Sequence, residues 1–477
     1  MDGLGMTKGE PAMAEVSSDE RVCVIGAGLA GSECALQLAL RGIPVTLVEQ
    51  RPVHSSPAHH TDRFAELVCS NSLKATRAES AAGLLKVELD AMGCRLLDIA
   101  RRCAVPAGGA LAVDRDAFSQ AVTDAIENEP LIDVVRREAT SIPEGRVVIA
   151  AGPLCSNDLF SSIADLVGGE HLSFFDAAAP IVEADSLDRT VIFEQSRYGE
   201  EGEGDYLNCP MTKEEYEAFW EALVGADRVI SKDFERSDLF QACQPAEEIA
   251  RKGRDALRFG ALKPVGLVDP RTGRRPWAAV QLRAENAERT AYNLVGFQTN
   301  LTWGEQARVF RMIPGLGEAT FARYGVMHRN SFVDAPRVLD PTFAVPGTTV
   351  RLAGQITGTE GYVEAIASGL LAAANTAADM RGLAPVQLPR TTSLGSLVAY
   401  ATDPATSPYQ PMHVNFGIIA PLGGGRMGKR ERYRVYAERG VQDLGEYLGT
   451  RTDLFPHLDL SALELPPFEP RSQKGRS

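Results

Sequence analysis

The run Arg21–Ile25 is short and apolar, the pattern of a strand buried on both faces of a parallel sheet. A glycine-rich turn follows, and Ser32–Leu40 then carries small and aliphatic residues suited to a helix that closes at Gly42. Val45–Val48 is the next apolar strand, and it ends at Glu49. Together these predict a strand, glycine turn, helix and strand unit of the usual size. Residues 146–152 read as another sheet strand ending in a turn. From about Asp176 to Asp334 the pattern changes to aromatic-rich, strand-like segments punctuated by proline and glycine, as at Lys263–Gly266 and Asp269–Gly273. The α/β pattern returns at residues 348–381 with a strand, a Gly354–Gly361 turn and an alanine-rich helix.

This order predicts an α/β fold, a Rossmann-like parallel-sheet domain of the glutathione-reductase type interrupted by a mixed α+β insertion. The expected divisions are a disordered tail at 1–20, a first nucleotide-binding segment at 21–175, an inserted substrate- or RNA-facing domain at 176–334, and a second nucleotide-binding segment with a helical C-terminal part at 335–477. Residues 389–411 read as loop-rich and 430–449 as helical.

Composition narrows the class without fixing a function. A chain of 477 residues with 44% hydrophobic and 23% charged residues is an ordinary globular protein with ample core. Its 49 basic against 63 acidic residues give −14, which argues against wholesale nonspecific nucleic-acid binding but leaves room for local basic faces. Arginines cluster at Arg271, Arg274 and Arg275, at Arg323 and Arg329, and with Lys429 at Arg430, Arg432 and Arg434. The first nineteen residues lack an apolar signal core, and no run of about eighteen apolar residues occurs, so a cytoplasmic protein with reduced thiols is expected. No C-x-x-C is present among the eight cysteines, and no metal site is expected.

The candidate chemistry begins at Gly26, Ala27, Gly28 and Gly31. Here a GxGxxG pattern follows a strand, opens a helix and precedes an acid about twenty residues on. Gly26 permits the tight turn, Gly28 lets the backbone approach a diphosphate, and Gly31 lets helix and strand pack closely. Glu49 would bind the ribose hydroxyls of an adenosine. The Glu49–Arg51 run and the late glycine turn at Gly354 and Gln355 favour FAD over NAD. Two cysteines then stand out: Cys69, in the polar run Leu67–Leu73, and Cys243, in Phe240–Pro245. Cys23 and Cys34 lie on apolar faces and read as core.

At this level the chain resembles a known family. Gly26–Gly31, Leu67–Leu73, Arg258–Leu267, Tyr292–Thr299, Trp303–Gln306, Arg311–Gly315, Tyr324–Asn330 and Gly354–Val363 are similar, in order, to the bacterial FAD- and folate-dependent tRNA (uracil-5-)-methyltransferases. The resemblance implies C5-methylation of a T-loop uridine at tRNA position 54, giving ribothymidine. Methylenetetrahydrofolate would supply the carbon, reduced FAD would relay it, and NADPH or NADH would supply the electrons. It further implies Cys243 as the thiolate that adds to uracil C6, Cys69 as the group that takes the C5 proton, and Gly361 and Tyr362 beside the flavin.

Asn71, His328, Arg329 and Asn330 become candidate substrate contacts, and Arg271, Arg274 and Arg275 candidate RNA contacts. No obligate protein partner is implied. One departure stands out: Gln244–Glu247 replaces the family's usual Leu-Pro-Ile-Glu after the second cysteine. A related wobble-uridine-modifying flavoprotein, glucose-inhibited division protein A, shares fold and folate chemistry but is longer. The same apparatus acting on a ribosomal RNA uridine, or a flavin-dependent thiol oxidoreductase joining Cys69 to Cys243, remain alternatives.

Overall fold

A computed structural model describes residues 20–56, 58–168, 172–177, 179–197, 204–229, 244–325, 327–407, 409–423 and 427–467, with the backbone alone at 172–177 and 327–330. The tail expected to be disordered lies almost entirely outside these residues. A five-stranded sheet runs in the order Val350–Leu352, Arg146–Ile149, β1 (Val22–Ile25), β2 (Val45–Glu49) and Ile132–Arg136. Every neighbouring pair is parallel. Helix α1 (Leu29–Leu40) leaves the central strand through the glycine turn, beginning at Leu29 rather than Ser32. The nucleotide-binding character of such sheets lies at the carboxyl ends of the strands. Here those ends are tied together by backbone bonds from Gly26 N–H to the Val48 carbonyl (2.7 Å) and from Ala150 N–H to the Ile25 carbonyl (2.8 Å).

The late helix Tyr362–Met380 lies against α1, and Gly369 lets it approach because a side chain there would run into the Ala30 backbone. One hydrophobic core joins residues from Val22 to Ile163 with residues from Phe332 to Leu463. The chain thus returns to the first core after a long excursion. A second core spans Val182 to Ala319 and packs beneath an antiparallel six-stranded sheet. Phe219, Phe297 and Phe310 are fully buried there, each contributing about 1.5–3 kcal/mol, and the last two meet edge to face at 5.4 Å. The passage between the cores is an antiparallel ribbon of Leu172–Ala177 with Met327–Phe332.

The punctuation of residues 389–411 predicts a loop, but Ser393–Thr402 is a helix. Thr392 caps it by accepting the Gly395 N–H at 2.9 Å. The buried Glu88 carboxylate accepts the Ser393 and Leu394 N–H groups at 2.6 and 2.9 Å. These bonds satisfy the open end of the helix. Burial pushes Glu88 up to about 7 despite those bonds. Tertiary burial overrides the loop-like composition here. The expected C-terminal helix is present as Lys429–Gly449.

Candidate active site

The glycine turn is built as the spacing requires. Gly26 has φ +97°, and a side chain there would meet the Ala150 carbonyl oxygen at 2.6 Å. A side chain at Gly31 would collide with the Gly26 carbonyl. Gly28 differs: a Cβ there would point into open space, within a cleft of about 310 Å³. The missing side chain therefore preserves room for a ligand rather than room for the fold.

Behind the turn, Glu49 accepts the Ala27 N–H at 2.8 Å and the Arg51 N–H and Nε at 3.1 and 2.8 Å. Burial works against the ionised form, but the Arg51 charge and these bonds outweigh it and hold Glu49 below the usual carboxylate range. Arg51 also bridges to Glu66 at 3.1 Å. Glu49 is thus fixed as a carboxylate at the cleft wall, and Gln50, Arg51 and Glu66 join it there.

Cys69 lines the same cleft and is half-buried. Tyr362, the first residue of its helix, uses its hydroxyl oxygen to accept the Cys69 N–H at 2.8 Å and the Ser70 N–H at 3.2 Å. Burial, with the charge of Cys69, pushes the Tyr362 phenol upward. Three guanidinium groups surround this loop. Arg115 donates to the Leu67 carbonyl and pairs with Glu285. Arg323 donates to the Val68 carbonyl at 2.7 Å, and Arg283 donates to the Asn71 side chain at 2.8 Å. Burial opposes the charge on Arg115, but Glu285 outweighs it and raises that group. Burial lowers Arg283 and Arg323. A negative charge on Cys69 interacts favourably with all three. Thiolates gain stability in such electropositive surroundings.

The other expected residues divide. Gly354, Gln355 and Gly361 line the cleft with Tyr362, and Gly354 (φ +80°) sits where a side chain would touch Ala30 Cβ at 2.9 Å. Asn71 is not a surface contact. It is 0% exposed, donates to the Val113 and Ala284 carbonyls at 3.0 and 2.9 Å, and accepts from Arg283. With both N–H groups and its carbonyl oxygen engaged, it braces the Cys69 loop against the inserted sheet.

Cys243 falls outside the described residues. The chain on either side of its segment is anchored to one place, by Val229 N–H to the Asn300 carbonyl at 2.8 Å and by Ala246 N–H to the Gln298 carbonyl at 2.7 Å. Gln298 itself lines the cleft. His328, Arg329 and Asn330 pair through their backbones with Asp176, Phe175 and Phe174, and their side chains lie outside the described residues. Arg271, Arg274 and Arg275 are exposed, and Arg271 is paired with Asp269 at 2.9 Å. Arg323, grouped by sequence with Arg329 as a surface cluster, instead serves the Cys69 loop. Arg115, Arg283, Glu285, Lys74 and Glu364 were not singled out by sequence, because their partners lie far along the chain.

A diphosphate-bearing cofactor fits these residues. The cleft joins the glycine turn and Glu49 to Cys69, and Gly28, where a Cβ would meet nothing within 4 Å, faces into it. The family model for glucose inhibited division protein A matches residues 21–384. The methylenetetrahydrofolate--tRNA-(uracil-5-)-methyltransferase TrmFO of Moorella thermoacetica is 52% identical over 435 residues, covering 90% of this chain and 99% of its own. Its namesake in Geobacter sulfurreducens is 53% identical over 431 residues, covering 90% and 99%.

The chain belongs to the TrmFO methyltransferase family.

Among solved structures, GidA from Aquifex aeolicus superposes with a TM-score of 0.68 at 16% identity, covering 93% of this chain and 78% of that one. That likeness carries the fold. The glycine turn, the Glu49 anchor and the Cys69 loop described here are therefore those of a TrmFO family member on a GidA-like frame. Among the described residues no helix is long and apolar enough to cross a membrane.

Proposed function

We propose that this protein is a folate- and FAD-dependent methyltransferase that forms 5-methyluridine at the T-loop uridine of tRNA. The observation that supports it best is the convergence of a dinucleotide-binding turn and Cys69 on one cleft, in a chain about half identical to proteins of that name along nine-tenths of its length. Gly26, Ala27, Gly28 and Gly31, with Glu49, would hold the FAD diphosphate and adenosine, and Gly354, Gln355, Gly361 and Tyr362 would border its ring. When bound, FAD supplies a ring nitrogen that carries the one-carbon unit and the electrons that complete the methyl group.

The protein's own part is acid–base and nucleophilic work. Uracil C5 is a poor nucleophile. Addition of the Cys243 thiolate to C6 makes C5 the carbon of an enolate. Once C5 carries the new carbon, Cys69 removes the C5 proton, and elimination of Cys243 follows. Arg115, Arg283 and Arg323 position the Cys69 loop and favour its charged form. Tyr362 keeps the loop against the cleft by its two backbone bonds. Electrons would come from NADPH or NADH, the setting would be the cytoplasm, and no second protein would be required. Residues 21–175 and 335–477 would serve the cofactor, while residues 176–334 would present Arg274 and Arg275, with His328, Arg329 and Asn330, toward RNA and folate.

The test is direct. Purified protein, unmodified tRNA, methylenetetrahydrofolate and NADPH are incubated, and the nucleosides are analysed. Ribothymidine is the expected product. Its absence with FAD bound, or electron transfer to a disulfide without RNA or folate, would overturn the reading. Replacing the tRNA with ribosomal RNA separates the two RNA targets.

A further inference from the structure

Lys74 occupies an uncommon backbone position. It lies in the strand Ser72–Ala75 with φ +66°, in the left-handed region that side chains other than glycine rarely adopt. The strand pairs with Ala110–Val113 at both of its ends, but the register breaks between Ser72 and Ala75. Irregularities of this kind re-aim a side chain, and strained residues persist where the surroundings over-determine them. The re-aimed side chain is 38% exposed and lines the cleft with Cys69, Ser70, Ser72, Gly361 and Tyr362.

Its ammonium is held from behind. Lys74 Nζ donates at 2.8 Å to Oε1 of Glu364, which is 0% exposed and also accepts the Val414 N–H at 3.2 Å. The other oxygen, Oε2, has no hydrogen-bond partner. Glu364 lies in the first turn of the helix Tyr362–Met380, whose N-cap, Gly361, has φ +116° and provides no side-chain cap. A Cβ on Gly361 would strike Glu364 Oε2 and come within 2.7 Å of Lys74 Nζ. Gly361 thus leaves room for the ion pair under the helix end. The deeper cation, Lys86, donates instead to the Ala75 and Ala82 carbonyls at 2.9 and 3.2 Å. The pair therefore presents its positive end to the cleft and its negative end to the interior. The open helix N-terminus adds positive potential on the same side.

We propose that Lys74 is the charge-compensating group for the reduced flavin ring. This rests on the reading that the cleft holds FAD. Hydride from a reduced nicotinamide brings two electrons and one proton to the oxidised ring, and the donor leaves as the oxidised nicotinamide. The ring gains one negative charge and no further proton is needed. Lys74 keeps its own proton throughout and stabilises that charge, so the protein binds reduced FAD more tightly than oxidised FAD. A staple joining strand to helix, with no action on the cofactor, is the competing account. It predicts a change in stability without a change in the flavin.

The full-length protein reconstituted with FAD separates the two. The midpoint potential of the bound flavin is measured by equilibration with a redox dye, beside the dissociation constant of oxidised FAD, for wild type, Lys74→Met, Lys74→Arg, Glu364→Gln and the Lys74→Met/Glu364→Gln double variant. Lys74→Met is expected to lower the preference for reduced over oxidised FAD by about tenfold or more, seen as a more negative potential, with oxidised FAD bound about as tightly as before. Lys74→Arg should stay near wild type. The double variant leaves no uncompensated buried carboxylate, so it guards against misfolding. It should show the same loss relative to Glu364→Gln. Unchanged potentials in the Lys74→Met pairings, with FAD bound, would overturn the assignment alone. A wild-type chain that takes up no FAD would overturn the cofactor reading as well.

Discussion

The hydroxyl oxygen of Tyr362 accepts the backbone N–H of Cys69 at 2.8 Å, across 293 residues of sequence. The same oxygen accepts the Ser70 N–H. The first turn of the helix Tyr362–Met380 thereby sets the position of the Cys69 loop.

Tyr362→Phe should therefore slow catalysis without emptying the cofactor site. Two backbone donors would lose their acceptor, at a cost of about 1–3 kcal/mol for the loop conformation. Ribothymidine formation is expected to fall by roughly tenfold or more while flavin content stays at wild-type level. Full activity in the variant would show that the loop holds its place by other means.

Two glycines of one motif should fail in different ways. Gly28→Val places a side chain in open cleft, so the protein should fold with its usual melting temperature and purify without flavin. Gly31→Ala drives a methyl into the Gly26 carbonyl, so it should melt lower even without cofactor. Absorbance of the purified variants and thermal melts of the apoproteins check both.

The two thiols should separate in a trapping experiment. With RNA carrying 5-fluorouridine, Cys243→Ala should form no covalent complex, because nothing adds to C6. Cys69→Ala should still form one. Complex formation by Cys243→Ala, read on a denaturing gel, would reverse the assigned roles.

Glu247 carries a pH signature. Burial pushes its carboxyl up to about 7 from an ordinary 4.5, although Thr299 Oγ1 and the Asn300 N–H donate to it at 3.0 and 2.7 Å. Between those values the folded state holds more protons than the unfolded one. Its contribution is therefore present in full below the unfolded value and declines as pH rises, being lost above about 7. Gln can accept the Asn300 N–H with its carbonyl oxygen and donate its amide N–H to Thr299 Oγ1, without a charge. Glu247→Gln should match wild type near about pH 5 and exceed it in melting temperature near about pH 8. An equal difference at both pH values would remove Glu247 as the source.

The exposed arginines make a salt-dependent prediction. Reversing charge at Arg274 and Arg275 should weaken tRNA binding and flatten the dependence of affinity on salt by about one to two phosphate contacts. Arg271 should matter less, since Asp269 already neutralises it. Unchanged affinity and slope in filter binding would move the RNA face elsewhere.

How much could be read from sequence follows from the range of the interactions. Gly26, Gly28 and Gly31 declare themselves because a turn's backbone needs are local, and the apolar runs of β1 and β2 reflect burial on both faces. The Arg115–Glu285 pair spans 170 residues, Arg283 to Asn71 spans 212, and Lys74 to Glu364 spans 290. Nothing in the local pattern around any of these six announces its partner. Asn71 shows the reverse error: its polar setting near Cys69 suggests substrate, yet the inserted strand Ala278–Ala284 covers it. The helix Ser393–Thr402 was hidden for a similar reason, since the acid that satisfies its open end comes from Glu88.

The ribbon of Leu172–Ala177 with Met327–Phe332 has a further consequence. Ala177 and Met327 are direct register partners, so the points where the chain departs and returns are immediate neighbours. To the parent sheet, everything between them is equivalent to a hairpin tip. Each doubling of the excursion's length adds only about 0.6 kcal/mol to the entropy cost of closing that gap, so the excursion can vary in size at little expense to the sheet it leaves.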